Sequence, residues 1–481
     1  MQSLNRKTVD APLRPVKVFQ FGEGNFLRAF VDWQFDIANE KGVMDAGIAV
    51  ITPIFGESKV VDILNEQDGL YHVILEGVEN GKPKREIRLV KSVQDVFSPT
   101  QDYDKYEHYI YSPDLRFVVS NTTEAGIRYE EDDVMAREPK TFPGKVTNFL
   151  YKRFKHFNGD PTKGLIFLCC ELIEDNGTHL HEYVIKHAEK ANLGQDFIDW
   201  VNNACIFCDT LVDRIVPGFP RDNIAEIKEE IGFDDNVVDK GEFYHLWAIG
   251  GKDCEKVRQE LPLEKAGLHV IFLPSIKPYR DKKVRILNGS HTGMVAMSLL
   301  MGLETVREAF ENENVNKFVN NMVELEVLPM IDEDPEELKK FAAGILERFY
   351  NPYVKHMLSS IALNSLSKWE ARNFPTVKDN YEKAGKIAEY ELLTFAALLA
   401  LYAPDSGFTP NDTPEQVAFI QDNWDDNDIE GTVAKIVGGN IFLENFDAVV
   451  PGFNAKVAEY VKSIRKDGMA KTLENFLEAH K

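Results

Sequence analysis

Between Asp281 and Gly293 the chain reads DKKVRILNGSHTG, which gathers Lys282, Lys283, Arg285, Asn288, Gly289, Ser290 and His291 into one short stretch. These side chains suit work on a carbonyl group. Reducing a ketone leaves charge on its oxygen, which calls for a proton donor and fixed hydrogen-bond donors. A buried lysine holds its proton less tightly and can serve as acid or base. An asparagine amide can steady the oxygen, and a histidine can orient a substrate hydroxyl. Taken as helix at about 100° per residue with Lys283 at zero, His291 falls near about 80° and Asn288 near about 140°. Lys282 lies roughly 100° the other way and Arg285 at roughly 200°. Lys283 is thus the lysine expected to converge with Asn288 and His291. A second reading stays open: a solvated Lys283, Asn288 as a helix cap and His291 as a satisfied core histidine. Gly289 costs a helix about 1 kcal/mol relative to alanine, and its expected use is close approach of a backbone, substrate or cofactor.

A second candidate lies near the start, in VFQFGEGNFLRAF. Gly22-x-Gly24 follows an expected strand and opens an expected helix, the setting in which glycines let backbone approach a pyrophosphate at a helix N-terminus. Phe21, Gly22, Gly24, Asn25 and Phe26 are the candidate cofactor contacts. Leu27 stands where the third glycine of the fingerprint belongs, so an ordinary strand–helix turn is the competing reading. Arg28 is either a further charged contact or a surface residue. The ribose-binding acid should follow the second strand. There Thr52-Pro53 occupies the usual place and Glu57 is the nearest acid, so the expectation is NAD. Asn121, Thr122 and Glu124 end another expected parallel strand and should face the cofactor, with a plain strand-end turn as the alternative, above all for Thr123.

The elements that must position these groups are readable in outline. VKVFQFG (16–22), GIAVITPIFG (47–56), LRFVVSNTTE (115–124) and GLIFLCCELIEDNG (164–177) are apolar runs stopping in glycine or polar residues, as buried parallel strands do. A helix is expected near 26–40. LYHVILEG and REIRLVKSV flank VENGKPK and read as a hairpin whose turn is rich in Asn, Gly and Pro. After about residue 275 the periodicity becomes helical, as in IAEYELLTFAALLALYA. The expected architecture is α/β: a doubly wound Rossmann-type domain over 1–275, then a mostly α-helical substrate domain over 276–481, with the active site in the cleft between them. Pro274 and Pro278 mark the junction.

Composition narrows the function. In 481 residues the formal net charge is -23, which argues against a nucleic-acid partner and requires a local Arg/Lys cluster for any anionic substrate. Five cysteines do not make a disulfide framework, and Cys205-x-x-Cys208 is expected to be a pair of buried small hydrophobes on a helix. No membrane-length apolar run or apolar leader is visible, so the expected setting is the cytoplasm. The sequence assigns no oligomeric state.

Lys283-x4-Asn288-x2-His291 resembles the signature of the polyol-specific long-chain dehydrogenases, the mannitol dehydrogenase family. FGEGNFLRAFVDW, EQDGLYHV, VVSNTTEAGI, FCDTLVDRIVPG and NGSHT are similar in the same order, and NPYVKHMLSSIALNSLSKWEARNFP extends the likeness into the second half. Asn25, Leu27 and Phe30 are similar to the tagaturonate-reducing branch rather than to the mannitol and fructuronate branches. The resemblance implies a metal-free, NAD-dependent interconversion of D-tagaturonate and D-altronate in hexuronate breakdown. Fructuronate or a polyol such as mannitol is the alternative substrate, and a silent nucleotide-binding regulator the alternative class. It implies that Lys283 is the general acid/base, Asn288 an oxyanion donor and His291 a substrate contact. Val212 and Asp213 would line the substrate site, while Arg372 or Lys368 would meet the carboxylate. The sequence departs from the family at Glu171-Leu172, where relatives carry Asp-Asn; Asn176 is the candidate replacement donor.

Overall fold

The computed structural model describes residues 1–52, 56–79, 82–122, 126–352 and 356–480. Its chain divides into two compact units, Met1–Lys277 and Pro278–Lys481, against the expected boundary at 275/276. The turn residues Asn80 and Gly81, and Pro53, Thr123 and Glu124 of the strand ends, lie outside the described residues.

The first unit is built on strands β1 (Val16–Phe21), β2 (Gly47–Ile51), β3 (Tyr71–Glu79), β4 (Lys82–Val90), β5 (Val93–Phe97), β6 (Phe117–Ser120), β7 (Ile166–Cys169), β8 (Ile206–Asp213), β9 (Asp239–Gly241), β10 (Leu246–Gly250) and β11 (Val270–Leu273). Eight of them form one sheet in the order β11-β10-β8-β7-β6-β1-β2-β5. Six neighbours, from β5 to β8, run parallel in the doubly wound order, and β10 joins β8 antiparallel. The strand order reverses between β1 and β6, so their carboxyl ends, at Gly22 and Asn121, flank the switch point where such sheets bind ligands. The central strands are buried throughout, as their uninterrupted apolar sequences require.

Between β2 and β5 the hairpin β3–β4 is inserted. Its register pairs Tyr71 with Val90 and Glu79 with Lys82, and β9 adds a third strand alongside β3. The ribbon is bolted to the helix that follows β1: the Tyr71 hydroxyl donates to Asp32 Oδ2 at 2.8 Å and lies 3.1 Å from the Arg28 carbonyl. Cys208 lies on β8, and Cys205 caps the helix Gln195–Ala204, so the C-x-x-C pair bridges into a strand and is not helical as expected. Both are buried, and burial pushes both thiols up to about 12, out of reach of thiolate chemistry.

The second unit is helical. Its centre is Glu389–Leu401, a helix buried on all sides, which packs against Gly289–Leu300 and Phe453–Asp467. Trp369 is fully buried, 4.4 Å from the Phe395 ring, and its indole donates to Thr394 Oγ1 at 2.8 Å. This packing leaves Gly289–Leu300 rigidly held on its inner face, so side chains at its start have fixed positions. Among the described residues, no helix is long and apolar enough to cross a membrane.

Candidate active site

In the first unit, β1 ends at Phe21 and the chain turns at Gly22, whose φ is +136°. A Cβ there would sit 3.0 Å from Leu27 Cδ1, so both conformation and space require glycine. Gly24 caps the following helix, and a Cβ on it would meet nothing within 4 Å. Open backbone at a helix N-terminus is the cradle a pyrophosphate needs. The helix runs over 25–40 and contains a π turn, Arg28–Asp32.

The other loop residues hold this cradle in place. Phe21 packs its ring edge-on to Phe142 at 5.2 Å and is buried in the core, so only its backbone borders the loop. Asn25 accepts from the Arg28 guanidinium through Oδ1, and its amide nitrogen would lie 2.2 Å from a Cβ at Gly218. Its side chain therefore fastens the VPG loop to the helix start. Phe26 stacks on Phe30 at 4.9 Å. Arg28 is neither a phosphate contact nor a surface residue: it is buried, donates to the Val237 carbonyl and lies 3.8 Å from Asp239.

At the end of β6, Asn121 is half-buried, while the Thr122 hydroxyl and backbone N–H both donate to Glu171 Oε1 at 2.9 Å. Ser120 Oγ donates to the other oxygen at 3.1 Å. Glu171, at the family's Asp position, is thus a buried acceptor that ties β6 to β7, and burial raises its pKa. Asn176 does not replace the missing donor. Its amide donates to the carbonyls of Cys169, Glu171 and Thr210, each at 3.0 Å, and its oxygen accepts from Gly177 and Thr210 N–H at 2.9 Å. Every polar position of this buried side chain is spent on the scaffold. Leu172 is 66% exposed, and Glu57 is exposed beyond the end of β2, where Thr52 is buried. Val212 and Asp213 are buried at the carboxyl end of β8.

In the second unit the chemical segment is not one regular helix. Lys277–Lys283 leads into a π turn, Val284–Asn288, and then into Gly289–Leu300. The Gly289 N–H reaches back to the Val284 carbonyl, an i→i−5 bond that marks the extra residue. Reckoning at 100° per residue fails across that turn. Lys283 is buried at its entrance, and His291 is buried one turn beyond its exit. Lys282 points elsewhere, paired with Glu333, and Arg285 pairs with Asp379 at 2.6 Å.

His291 sits among cations. Its ring stacks on Phe349 at 4.3 Å and meets His356 edge-on at 5.2 Å, and its Nε2 has no hydrogen-bond partner among the described residues. Burial first, then the neighbouring His356, Arg348, Arg372 and Lys283, hold its pKa well below the usual imidazole value, and burial and Arg348 lower that of His356 as well. The ring is therefore neutral near pH 7. Arg372 is half-buried, with burial lowering its pKa, and donates to Thr292 Oγ1 at 3.2 Å. Lys283, His291 and Arg372 are brought together, joined by Arg348 and His356, which sequence reasoning missed although both lie in the RFYNPYVKH stretch. Asn288 is half-buried at the end of the π turn, and its side chain makes no hydrogen bond among the described residues. Lys368 is tied to the Ile361 carbonyl at 3.0 Å. Gly289 leaves ordinary contact room for a Cβ, 3.6 Å from the Arg372 carbonyl, so packing alone does not demand glycine there.

A doubly wound sheet with a glycine cradle at its switch point, followed by a helical unit carrying a buried lysine, is the build of a two-domain dinucleotide-dependent oxidoreductase. Residues 16–264 match the mannitol dehydrogenase Rossmann domain and residues 275–423 the mannitol dehydrogenase C-terminal domain; the chain belongs to the mannitol dehydrogenase family. It is 42% identical over 480 residues to an altronate oxidoreductase of Bacillus subtilis, covering 99% of this chain and 98% of that one. It is 41% identical over 491 residues to one of Phocaeicola vulgatus, covering 99% and 100%. Among solved structures, a D-sorbitol dehydrogenase shares the fold at a TM-score of 0.81 and 18% identity, covering 98% of this chain and 100% of that one. A Pseudomonas fluorescens mannitol 2-dehydrogenase, in complex with NAD and D-mannitol, does so at 0.73 and 20%, covering 99% and 100%.

Proposed function

We propose that the protein is an altronate oxidoreductase that interconverts D-tagaturonate and D-altronate with NAD(H). The observation that carries this reading is the cationic cluster around His291 in a chain of net charge -23. Beyond the acid–base lysine, a neutral polyol has no use for two arginines converging on one buried imidazole, whereas a keto-acid brings a carboxylate to meet them. The end-to-end similarity to altronate oxidoreductases supports the same substrate.

The cofactor would lie with its pyrophosphate over Gly22 to Asn25, next to Asn121, and its nicotinamide supplies the hydride when bound. Lys283 gives its proton to the ketone oxygen and takes it back in the reverse direction. His291, neutral and with Nε2 available, orients a substrate hydroxyl, and Asn288 presents its amide to the developing oxyanion. Arg372 receives the carboxylate, with Asp213 from the first unit lining the substrate. Asn176, Lys368 and Glu57 carry no role in it. The free, buried cysteines suit a reducing, cytoplasmic setting.

The test is Lys283→Ala. Loss of a general acid lowers turnover by about 10²–10⁴-fold while NADH binding, measured by fluorescence titration, stays near that of the parent. Near-normal turnover with D-tagaturonate would sink the mechanism.

A further inference from the structure

The acid–base helix depends on its π turn, because that turn decides how His291 and Asn288 stand against Lys283. One buried side chain from elsewhere in the second unit grips the turn. Asn373, fully buried between the helices Ser365–Arg372 and Phe374–Ala384, donates through Nδ2 to the Gly289 carbonyl at 3.1 Å. The same Nδ2 donates to Glu391 Oε2 at 2.8 Å. Glu391 is itself immobile. It lies in the first turn of the buried helix Glu389–Leu401, and its backbone N–H donates to Glu326 Oε2 at 3.0 Å. Glu326 also accepts from the Tyr390 N–H at 2.9 Å, and the Glu391 carbonyl accepts from Thr394 Oγ1 at 2.7 Å. Arg372, the carboxylate-binding candidate, immediately precedes Asn373, and its carbonyl lies against Gly289.

We propose that Asn373 is a positioning residue: by clamping the Gly289 carbonyl to the fixed post Glu391, it sets the phase of the π turn and the placement of Arg372 together. This rests on the reading of Lys283 and Arg372 given above. Two polar groups buried in an apolar unit cost stability unless they are paired. Here Asn373 Nδ2 is paired to Glu391 and to the Gly289 carbonyl, where the acid–base helix leaves its π turn, while Asn373 Oδ1 finds no partner among the described residues. A purely structural pair would stabilise the fold without touching the rate per active site. A clamp sets geometry, and misplacement by about 1 Å can cost on the order of 100-fold in rate.

The experiment uses the full chain, with active sites counted by NADH titration so that misfolded protein drops out. In Asn373→Leu, kcat per site on D-tagaturonate falls by at least about tenfold, while KM rises less than about threefold and the NADH Kd is unchanged. Glu391→Leu gives the same loss, and Glu391→Gln, which keeps an acceptor for Asn373, restores kcat to within about threefold of the parent. Should Asn373→Leu not fold, the contrast between Glu391→Leu and Glu391→Gln decides alone. The proposal is overturned by a parent-like kcat per site in Asn373→Leu or Glu391→Leu, or by Glu391→Gln falling as far as Glu391→Leu. Lys283→Ala is run in parallel: if it keeps its turnover, the acid–base reading has failed, whatever the clamp variants show.

Discussion

Replacing Arg372 by alanine tests the substrate assignment most directly. Its guanidinium is half-buried, gives one hydrogen bond to Thr292 Oγ1 at 3.2 Å, and has no carboxylate partner among the described residues. Most of its donors therefore remain for a ligand. A carboxylate held by the guanidinium fork makes two charge-assisted hydrogen bonds, each contributing about 1.5–3 kcal/mol. Partial exposure screens the pair, so a net ~3 kcal/mol is a fair working figure. At about 1.4 kcal/mol per factor of ten, Arg372→Ala should lower kcat/KM for D-tagaturonate by about 100-fold. The assay is the initial rate of NADH oxidation, run in parallel on D-tagaturonate and on a neutral ketose such as fructose. The neutral ketose has no carboxylate to lose, so its kcat/KM should change by less than about threefold. Equal losses on the two substrates would refute the reasoning, because Arg372 would then be shaping the site without reading charge.

Glu391 provides a pH test of the second unit. Burial raises its pKa to about 8, against a modest opposing hydrogen bond from Asn373 and attraction to Arg285. A carboxyl group whose pKa is higher folded than unfolded stabilises the fold fully at low pH. That contribution is lost as pH rises from the ordinary carboxylate range to about 8, amounting to on the order of 4 kcal/mol above it. Glu391→Gln cannot ionise, so its Tm advantage over the parent should grow between pH 5 and pH 8.5 and then level off; a gap that ignores pH would contradict this. Gly22→Ala places a side chain at φ +136° and 3.0 Å from Leu27 Cδ1. Strain of about 1–3 kcal/mol at the cradle should weaken NADH binding roughly tenfold or more; an unchanged Kd by fluorescence titration would show that the cofactor lies elsewhere.

The sheet and hairpin were legible because burial on both faces or one leaves a direct mark on the sequence. Continuous apolar runs gave β1, β6 and β7, whereas the helix phase that singled out Lys283 does not carry across the π turn, even though Lys283 is buried and Lys282 pairs with Glu333. The π turn was not legible: nothing in VRILN distinguishes it from an α-helical turn, and the side chain that grips its end, Asn373, lies far along the chain. Arg28, Asn25 and Asn176 illustrate the same gap. Their types suit ligand contact, yet Arg28 and Asn176 are spent on backbone carbonyls that the tertiary structure brings near, and Asn25 gives its Oδ1 to Arg28 one turn on. Cys208 was misplaced on a helix; burial alternates along this strand, with Ile206, Cys208, Thr210 and Val212 facing inward, but Thr210 among them and Phe207 and Leu211 between them blur the period-two signal in the sequence. Glu391 offered a signal too, as the second of two acids in the first turn of a helix otherwise able to bury every side.

The inserted ribbon has a consequence for how the chain is made. β3 lies between β4 and β9, and the register pairs Val73 with Asp239. His72 is likewise held by Asp235, through its N–H at 2.7 Å and its Nδ1 at 3.0 Å. Translation proceeds at roughly 5–20 residues per second, so the hairpin leaves the ribosome on the order of ten seconds before its third strand exists. During that interval β3 presents an unpaired, apolar edge, with Tyr71, Val73 and Leu75 on it, directly beside the helix that carries the glycine cradle. The nucleotide loop therefore reaches its final support only when residues near 240 arrive, and a chain stalled before that point displays a sticky strand rather than a finished half of the domain.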